Sequence, residues 1–322
     1  MFAITAARFS PDDPLAGLEL GDRPDPEPLG GWEVVRVRAA ALNHHDLWTL
    51  RGVGIREDRL PVVLGCDAAG VTADGREVVV HAVVAGDDGT GPETPDASFS
   101  ILSERFDGTH AELVAVPARN LLDKPRGLSF AEAACLPTAW LTAYRMLFTQ
   151  AGIKPGDRVL VQGAGGGVAT AAIVLGRAAG LRVYVTSRDE AKRERAVALG
   201  ARAAFEPGAR LPERVEAVLE TVGEATWSHS LRALEAGGAV VVAGATTGPN
   251  PPADLSRVFF RQLRVVGSTM GTRGELAGLM RLLENAAEKP LVDSTFALPD
   301  GRDAYARLAD GEQFGKIVLT VD

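Results

Sequence analysis

A run of glycines, Gly163-Ala164-Gly165-Gly166-Gly167, lies between the apolar stretch Val159-Leu160-Val161-Gln162 and a small-residue stretch that starts at Val168. Glycines in that position let a backbone turn sharply and approach a pyrophosphate, whose charge the amide groups opening the next helix can stabilise. Val168 departs from the strict Gly-x-Gly-x-x-Gly spacing, while Ala169, Ala171, Ala172 and Gly176 keep the expected helix thin enough to lie close on a sheet. The strand before and the helix after are what make such a motif informative. A second apolar run, Arg182-Val183-Tyr184-Val185-Thr186, ends in Ser187, Arg188 and, one helical turn on, Lys192. An NAD site usually places a carboxylate about 20 residues past the first glycine, where it would repel a 2′-phosphate. A hydroxyl with two cations suits that phosphate, so the expected cofactor is NADPH. The alternative, in which Arg188 and Lys192 are solvated charges opening an amphipathic helix, stays open.

The surrounding elements fall into two textures. Residues 1–124 read as mostly β, with strands over 2–9, 32–40, 77–84 and 110–116, one short helix over 43–50, and an aperiodic loop over 86–103 rich in Gly, Asp, Thr and Pro. From residue 125 helices alternate with short buried strands. Ser129 and Glu132 have the spacing of a capping box, Pro137 interrupts or restarts that helix over 138–149, and after the glycine turn the units run helix 189–199, strand 203–205, strand 215–221, helix 224–234, strand 239–243, strand 263–268 and helix 273–288. Such alternation implies a parallel sheet covered on both faces. The tail, with a helix over 302–308 and a strand over 316–321, is too β-rich to extend that sheet and is expected to rejoin the first domain. The expected division is therefore 1–124 completed by 290–322, and 125–289. The fold class is α/β, a doubly wound Rossmann sheet joined to a mostly β domain.

The length of 322 residues suits two domains with sizeable cores. A net charge of −8 argues against nucleic acid or an anionic membrane as the main partner, and no apolar run approaches the roughly 20 residues of a membrane span. A cytoplasmic location is expected. Cys66 and Cys135 are the two cysteines, too few for a disulfide framework or a four-cysteine zinc lobe.

The stretches Asn43-His44-His45-Asp46, Leu64-Gly65-Cys66-Asp67-Ala68-Ala69-Gly70 and Leu136-Pro137-Thr138-Ala139-Trp140-Leu141-Thr142-Ala143-Tyr144 resemble the medium-chain dehydrogenase/reductase superfamily. Val258 to Leu263, Gly267-Ser268-Thr269-Met270 and Phe314-Gly315-Lys316-Ile317-Val318-Leu319 extend the likeness over nearly the whole chain, most of all to quinone oxidoreductases and zinc-type alcohol dehydrogenase-like proteins. The resemblance implies a GroES-like catalytic domain, a Rossmann domain, a cleft between them and a homodimer paired through the Rossmann sheets. Zinc-dependent relatives hold the metal with two cysteines and a histidine; the matching positions here carry Asn43, Cys66 beside Asp67, and Thr138. Neutral Asn and Thr are poor zinc ligands, so no metal is expected, although His44 or His45 with Cys66 and Asp67 is a conceivable unusual site.

Without zinc a simple alcohol has no activated form, whereas a quinone or an α,β-unsaturated carbonyl accepts hydride at an already electron-poor carbon. The expected function is zinc-independent, NADPH-dependent reduction of a quinone or an enone C=C bond. A metal-free carbonyl reductase or alcohol dehydrogenase, and a non-catalytic NADPH-binding protein, are the competing readings. The expected catalytic residues are Asn43, offering its amide to the nicotinamide or substrate oxygen, Asp46 one turn away fixing the loop, and His44, with His45 or solvent as the other possible proton donors. Two adjacent histidines on a helix point different ways, so at most one serves. Trp48, Cys66 and Thr138 are the expected pocket residues, Cys66 as a small buried hydrophobe. Besides the glycines, Val168, Ser187, Arg188 and Lys192, the likeness assigns Asn43, Thr142, Phe205, Thr221, Gly244, Ala245, Thr246, Ser268, Met270 and Lys316 to the cofactor.

Overall fold

A computed structural model describes residues 1–86, 93–94 and 99–322. Contacts divide the chain into two units, 1–141 with 271–322, and 142–270.

In the first unit Phe2–Ala6 (β1) pairs antiparallel with Leu18–Asp22 (β2), Ile4 opposite Leu20. Trp32–Ala41 (β3) runs into the helix His44–Leu50 (α1), whose N-cap is Asn43. Val62–Val63 (β4) closes the small sheet β2-β1-β4. Asp67–Thr72 (β5), Glu77–Val80 (β6), Val83–Val84 (β7), Ser100–Ile101 (β8), Leu113–Pro117 (β9) and Leu121–Asp123 (β10) follow. β7 and β8 pair with each other at the two ends of the expected loop, of which residues 87–92 and 95–98 lie outside the described ones. The helix Phe130–Ala134 (α2) starts at the expected capping box: Glu132 N donates to Ser129 Oγ at 3.2 Å and Ser129 N to Glu132 Oε2 at 2.7 Å. After Cys135 the chain winds as π-helix over Leu136–Trp140 and, from residue 142 on as part of the second unit, as α-helix over Leu141–Tyr144 (α3) and as π-helix again over Arg145–Ala151.

The second unit contains Arg158–Gln162 (β11), Gly167–Ala178 (α4), Arg182–Thr186 (β12), Glu190–Leu199 (α5), Ala203–Phe205 (β13), Val215–Glu220 (β14), Glu224–Ala233 (α6), Leu234–Val242 (β15), Leu255–Phe260 (α7) and Arg264–Gly267 (β16). Its strands are all parallel, in the order β13-β12-β11-β14-β15-β16. In chain order within this sheet that is 3-2-1-4-5-6, the doubly wound arrangement whose direction reverses beside the first strand. Leu160, Val218 and Val240 at the strand centres pack with Trp227 and Leu231 of α6. Gly176 shows why a thin helix is needed: a Cβ there would stand 2.4 Å from Val183 Cγ2 of β12.

The chain then returns to the first unit as Arg273–Ala286 (α8), Val292–Ala297 (β17), Gly301–Asp310 (α9) and Lys316–Thr320 (β18). β18 pairs antiparallel with β3 and parallel with β17, in the sheet β10-β6-β5-β3-β18-β17 to which β9 adds on β3. The tail thus joins the β domain as expected. The unit boundaries differ from the expected ones, because 125–141 and 271–289 also belong here: α2 packs on β3 and β5, and Arg273 donates from its backbone to Glu93 (2.7 Å) and from Nε to Arg119 O (2.7 Å). Ile4, Leu47, Leu64, Leu102, Tyr305 and Leu319 centre the core of this unit.

Candidate functional site

Parallel strands bring their carboxyl ends to one edge, and in the second unit that edge collects most of the residues expected to hold a dinucleotide. β11 leads into Gly163, whose φ of +92° is a left-handed conformation that favours glycine. Gly166 is the N-cap of α4 and supplies no side-chain cap, so the opening amides of a 12-residue helix are offered to an outside acceptor, Val168 among them. β12 delivers Ser187 and Arg188, β13 Phe205, β14 Thr221, β15 Gly244 to Thr246, and β16 Ser268 and Met270. Thr142 stands apart from these turns, on α3, and is 7% exposed.

The loop after β12 decides what the ribose end meets. Ser187 N donates to Phe205 O at 2.9 Å, Ser187 Oγ accepts from Asp189 N at 3.2 Å, and Asp189 Oδ1 accepts from Lys192 N at 3.1 Å. The Asp189 carboxylate is thereby turned onto α5 as its cap. Arg193 Nη1 donates to Ser187 O (2.8 Å) and Arg188 O (3.3 Å), holding the loop backbone and leaving Arg188 exposed. The Thr186 hydroxyl is turned inward, donating to Gln162 Oε1 at 2.6 Å.

Two buried polar residues that the sequence reading missed shape this edge. Gln162 Nε2 reaches Ser230 Oγ at 3.0 Å, which ties the ends of β11 and β12 to α6. Glu220, 0% exposed, accepts from Val222 N, Gly223 N, Thr226 Oγ1 and Ser230 Oγ at 2.6–3.0 Å, and fixes the turn after β14. The signal available was an acidic residue closing the apolar run Val218-Leu219.

In the first unit α1 opens with the N–H of Asn43 donating to Asp46 Oδ2 at 2.7 Å. The Asn43 side chain is spent on its neighbours: Nδ2 donates to Asp67 Oδ2 (2.9 Å) and Ala41 O (3.3 Å), and Oδ1 accepts from Lys316 Nζ (2.6 Å). Lys316 also donates to Leu42 O (2.7 Å) and pairs with Asp67 Oδ2 (3.0 Å), all of it enclosed, with Lys316 2% and Asp67 0% exposed. This corrects the roles expected for Asn43 and Lys316: neither amide nor ammonium is left for a nicotinamide or a substrate oxygen. Asp46 supports the first turn of α1 by accepting the Asn43 N–H.

The two histidines diverge, as a helix requires. His44 is exposed, edge-on to Trp48 with ring centroids 6.4 Å apart; partial desolvation, then the charge of Arg51, lower its pKa. His45 turns inward, with Nδ1 3.4 Å from Cys66 Sγ and Nε2 3.2 Å from Glu104 Oε1. Burial pulls the His45 pKa down, but Cys66 and Glu104 outweigh it and hold the imidazolium well above the usual histidine range. Burial pushes the Cys66 thiol up, and Glu104 is held down by His45, Ile101 N and Ser100 against its own burial. With Cys66 a thiol, the charge opposite the imidazolium is that of Glu104. Cys66, 0% exposed, is buried as expected, and its thiol also meets His45 Nδ1 and Leu102 O. Glu104 follows the aperiodic stretch, and an acidic residue just after Ile101-Leu102 was its only sequence signal. Behind α1 lies a further buried pair, His110 Nδ1 and the Tyr305 hydroxyl at 2.8 Å.

Two family models match the chain, the alcohol dehydrogenase GroES-like domain over residues 30–126 and the zinc-binding dehydrogenase domain over 167–285. The chain belongs to the medium-chain dehydrogenase/reductase superfamily, and it is an oxidoreductase of that kind. It is 30% identical to an acryloyl-coenzyme A reductase of Metallosphaera sedula, over 94% of this chain and 96% of that one. The crystal structure of an NAD-dependent alcohol dehydrogenase matches with a TM-score of 0.89 at 34% identity, each chain covered in full. That of the crotonyl-CoA carboxylase/reductase AntE V350A with NADP matches with a TM-score of 0.88 at 25% identity, over 100% of this chain and 95% of that one. The family binds nicotinamide cofactors, and the glycine turn, the uncapped α4 and the strand-end loops fit one. Among the described residues no helix is long and apolar enough to cross a membrane.

The second family model implies zinc, and of the residues at the expected ligand positions only Cys66 is of an ordinary zinc-ligand type, so the expected set does not fit it. Both polar atoms of Asn43 are already bonded, Asp67 is neutralised by Lys316, and Thr138 offers an uncharged hydroxyl.

Proposed function

We propose that this protein is an NADPH-dependent reductase of activated C=C bonds, an enone or an α,β-unsaturated thioester, with quinones as alternative acceptors. The observation that carries the reading is the closed Asn43, Lys316 and Asp67 cluster, which occupies two of the groups at the positions expected to hold a catalytic zinc, Asn43 and Asp67. Substrates that need no metal are those whose carbon is already electron-poor. The likeness to acryloyl-CoA and crotonyl-CoA reductases supports the same class.

The nicotinamide supplies a hydride when bound. Gly163 to Val168 and the start of α4 hold the pyrophosphate, and Ser187 and Arg188, with Lys192, meet the 2′-phosphate. Thr221, Gly244 to Thr246, Ser268 and Met270 line the remaining strand ends, with Phe205 beside Ser187. His44, the imidazole of the pair that is free of carboxylate and thiol, donates a hydrogen bond to the oxygen on which charge develops and is the source of the proton. Asn43, Asp46 and Lys316 position α1, and Trp48 provides the apolar wall for the substrate. The working unit is a homodimer: Leu255, Phe259, Phe260 and Val265 are exposed at 53–78% beside the edge strand β16, which suits burial against a second copy.

The test is steady-state oxidation of NADPH and NADH by chelator-treated protein with a simple enone, a crotonyl thioester, 1,4-benzoquinone and a saturated aldehyde. Turnover of the first three with NADPH preferred is expected. Activity confined to the aldehyde, or turnover restored only by zinc, overturns the reading.

A further inference from the structure

His45, Asp46 and Cys66 each present a ligand atom within 4.8 Å of the others. We propose that these three residues bind one divalent cation of borderline softness, zinc foremost, in a set that shares only Cys66 with the ligand positions tested above and replaces the others by His45 and Asp46. The set is one imidazole nitrogen, one thiolate and one carboxylate, a combination that zinc accepts and that magnesium or calcium does not favour.

The spacing and two observations besides it point to a ligand. First, the separation of Cys66 Sγ from His45 Nδ1, 3.4 Å, is close to the roughly 3.6 Å that a tetrahedral zinc imposes on a sulfur and a nitrogen at ordinary bond lengths. Second, Asp46 is 0% exposed and its Oδ1 has no hydrogen-bond partner, while Oδ2 is occupied by Asn43 N. A carboxylate oxygen sealed in that way is a costly feature unless something cationic meets it. Third, the other nitrogen of His45 is bonded to Glu104 Oε1 at 3.2 Å, and Glu104 is itself fixed by Ile101 N at 3.0 Å and Ser100 Oγ at 3.2 Å. A carboxylate behind a histidine, holding its ring and leaving Nδ1 directed forward, is the usual support for a metal-bound imidazole. On binding, two protons are released to solvent: that of Cys66, now directed at Leu102 O at 3.3 Å, as sulfur becomes the ligand, and that on His45 Nδ1, as the imidazolium becomes the neutral imidazole that can ligate, its Nε2 proton staying on Glu104. Cys66 and Asp46 are enclosed, so the cation ties α1 to the start of β5 and, through Glu104, to the end of β8; its effect is on the stability of the first unit.

The full-length protein, stripped with a chelator and then titrated with Zn2+ and with Co2+, tests this. One equivalent is expected to bind, with a thiolate-to-cobalt charge-transfer band in the near ultraviolet. Cys66→Ser should remove that band, Cys135→Ser should keep it, and Glu104→Gln should weaken binding by about 10–100-fold. His45→Gln, a change on the partly exposed ligand that spares the core, should abolish stoichiometric binding and decides the matter if Cys66→Ser does not fold. Absence of binding by folded wild-type protein, or a cobalt band that survives His45→Gln or moves with Cys135, overturns the proposal. Enone turnover read on the same samples separates this claim from the functional one. Turnover indifferent to the bound metal leaves both standing, turnover that requires it leaves the site and sinks the metal-free reduction, and turnover without any binding does the reverse.

Discussion

The two units treat polar groups in opposite ways. In the Rossmann unit the functional edge is made of backbone: a glycine at positive φ, an uncapped helix start and five further strand ends, with the buried carboxylate Glu220 fully satisfied by four neighbours. In the first unit the corresponding region is made of side-chain charge: Lys316 with Asp67, His45 with Glu104, and Asp46 with one oxygen unmet. Backbone groups cost nothing to leave facing water, whereas enclosed charges must be matched one for one. A small change should therefore be tolerated at the first kind of site and not at the second.

The largest effect is expected where that difference is most extreme. Lys316→Met leaves Asp67 buried without its cation and should destabilise the protein by about 3–5 kcal/mol in urea unfolding. The double variant Asp67→Asn with Lys316→Met should cost clearly less than the sum of the two single changes. Strict additivity would mean that the pair is not energetically coupled and would erase the contrast.

A smaller effect, dependent on pH, is expected at His81 in the same unit. Burial, with Arg273 and Arg119 nearby, lowers its pKa from 6.5 to about 3 in spite of Glu93 Oε1 at 3.6 Å from Nε2 and the charge of Glu275. The folded state therefore excludes a proton that the unfolded state takes up below pH 6.5. The stability that neutral His81 allows is fully present above 6.5 and is lost as pH falls toward 3, at about 1.4 kcal/mol per unit. Unfolding between pH 6.5 and 5 should show a loss of about 2 kcal/mol that His81→Leu removes. Equal slopes for the two proteins would show that His81 does not carry it.

In the Rossmann unit the sharpest packing constraint is Gly176. Alanine there gains about 1 kcal/mol in helix propensity and, with its Cβ 2.4 Å from Val183 Cγ2, loses about 1–3 kcal/mol to overlap. Gly176→Ala should be mildly destabilising alone and should become neutral or better beside Val183→Ala, where the obstructing methyl is gone. A stabilised single variant would show that α4 can shift away from β12.

These elements also show what the sequence could carry. Gly163 to Gly167 and the alternation behind it were legible, because a local turn and a period of hydrophobicity specify a parallel sheet without any distant contact. The return of 316–321 to the β domain was legible from composition. β5 was not read as a strand, since Ala68, Ala69 and Gly70 lack the β-branched side chains that announce one, and its burial against β3 comes from tertiary context. The partners of Asn43 were illegible for a plainer reason: Asp67 lies 24 residues away and Lys316 273 residues away. No local pattern records that meeting. The pairing of His45 with Cys66 and Glu104 is of the same kind, which is why the inward histidine was not told from the outward one.

The smallest effect expected is on the loop after β12, where the groups are exposed and solvent screens them. Arg188 is held by its backbone, through Arg193, while its guanidinium is open to solvent. If that group meets a 2′-phosphate, Arg188→Ala removes a charge-assisted contact worth roughly 1.4 kcal/mol, a factor of about ten in affinity. The KM for NADPH should rise by about that factor while kcat and the KM for NADH stay level, since neither the nicotinamide end nor a free ribose hydroxyl depends on the cation. Added salt should narrow the gap between variant and wild type. A parallel loss with both cofactors would mean that Arg188 holds the loop and not the phosphate, and a 2′-phosphate site would then have to rest on Ser187 and Lys192 alone.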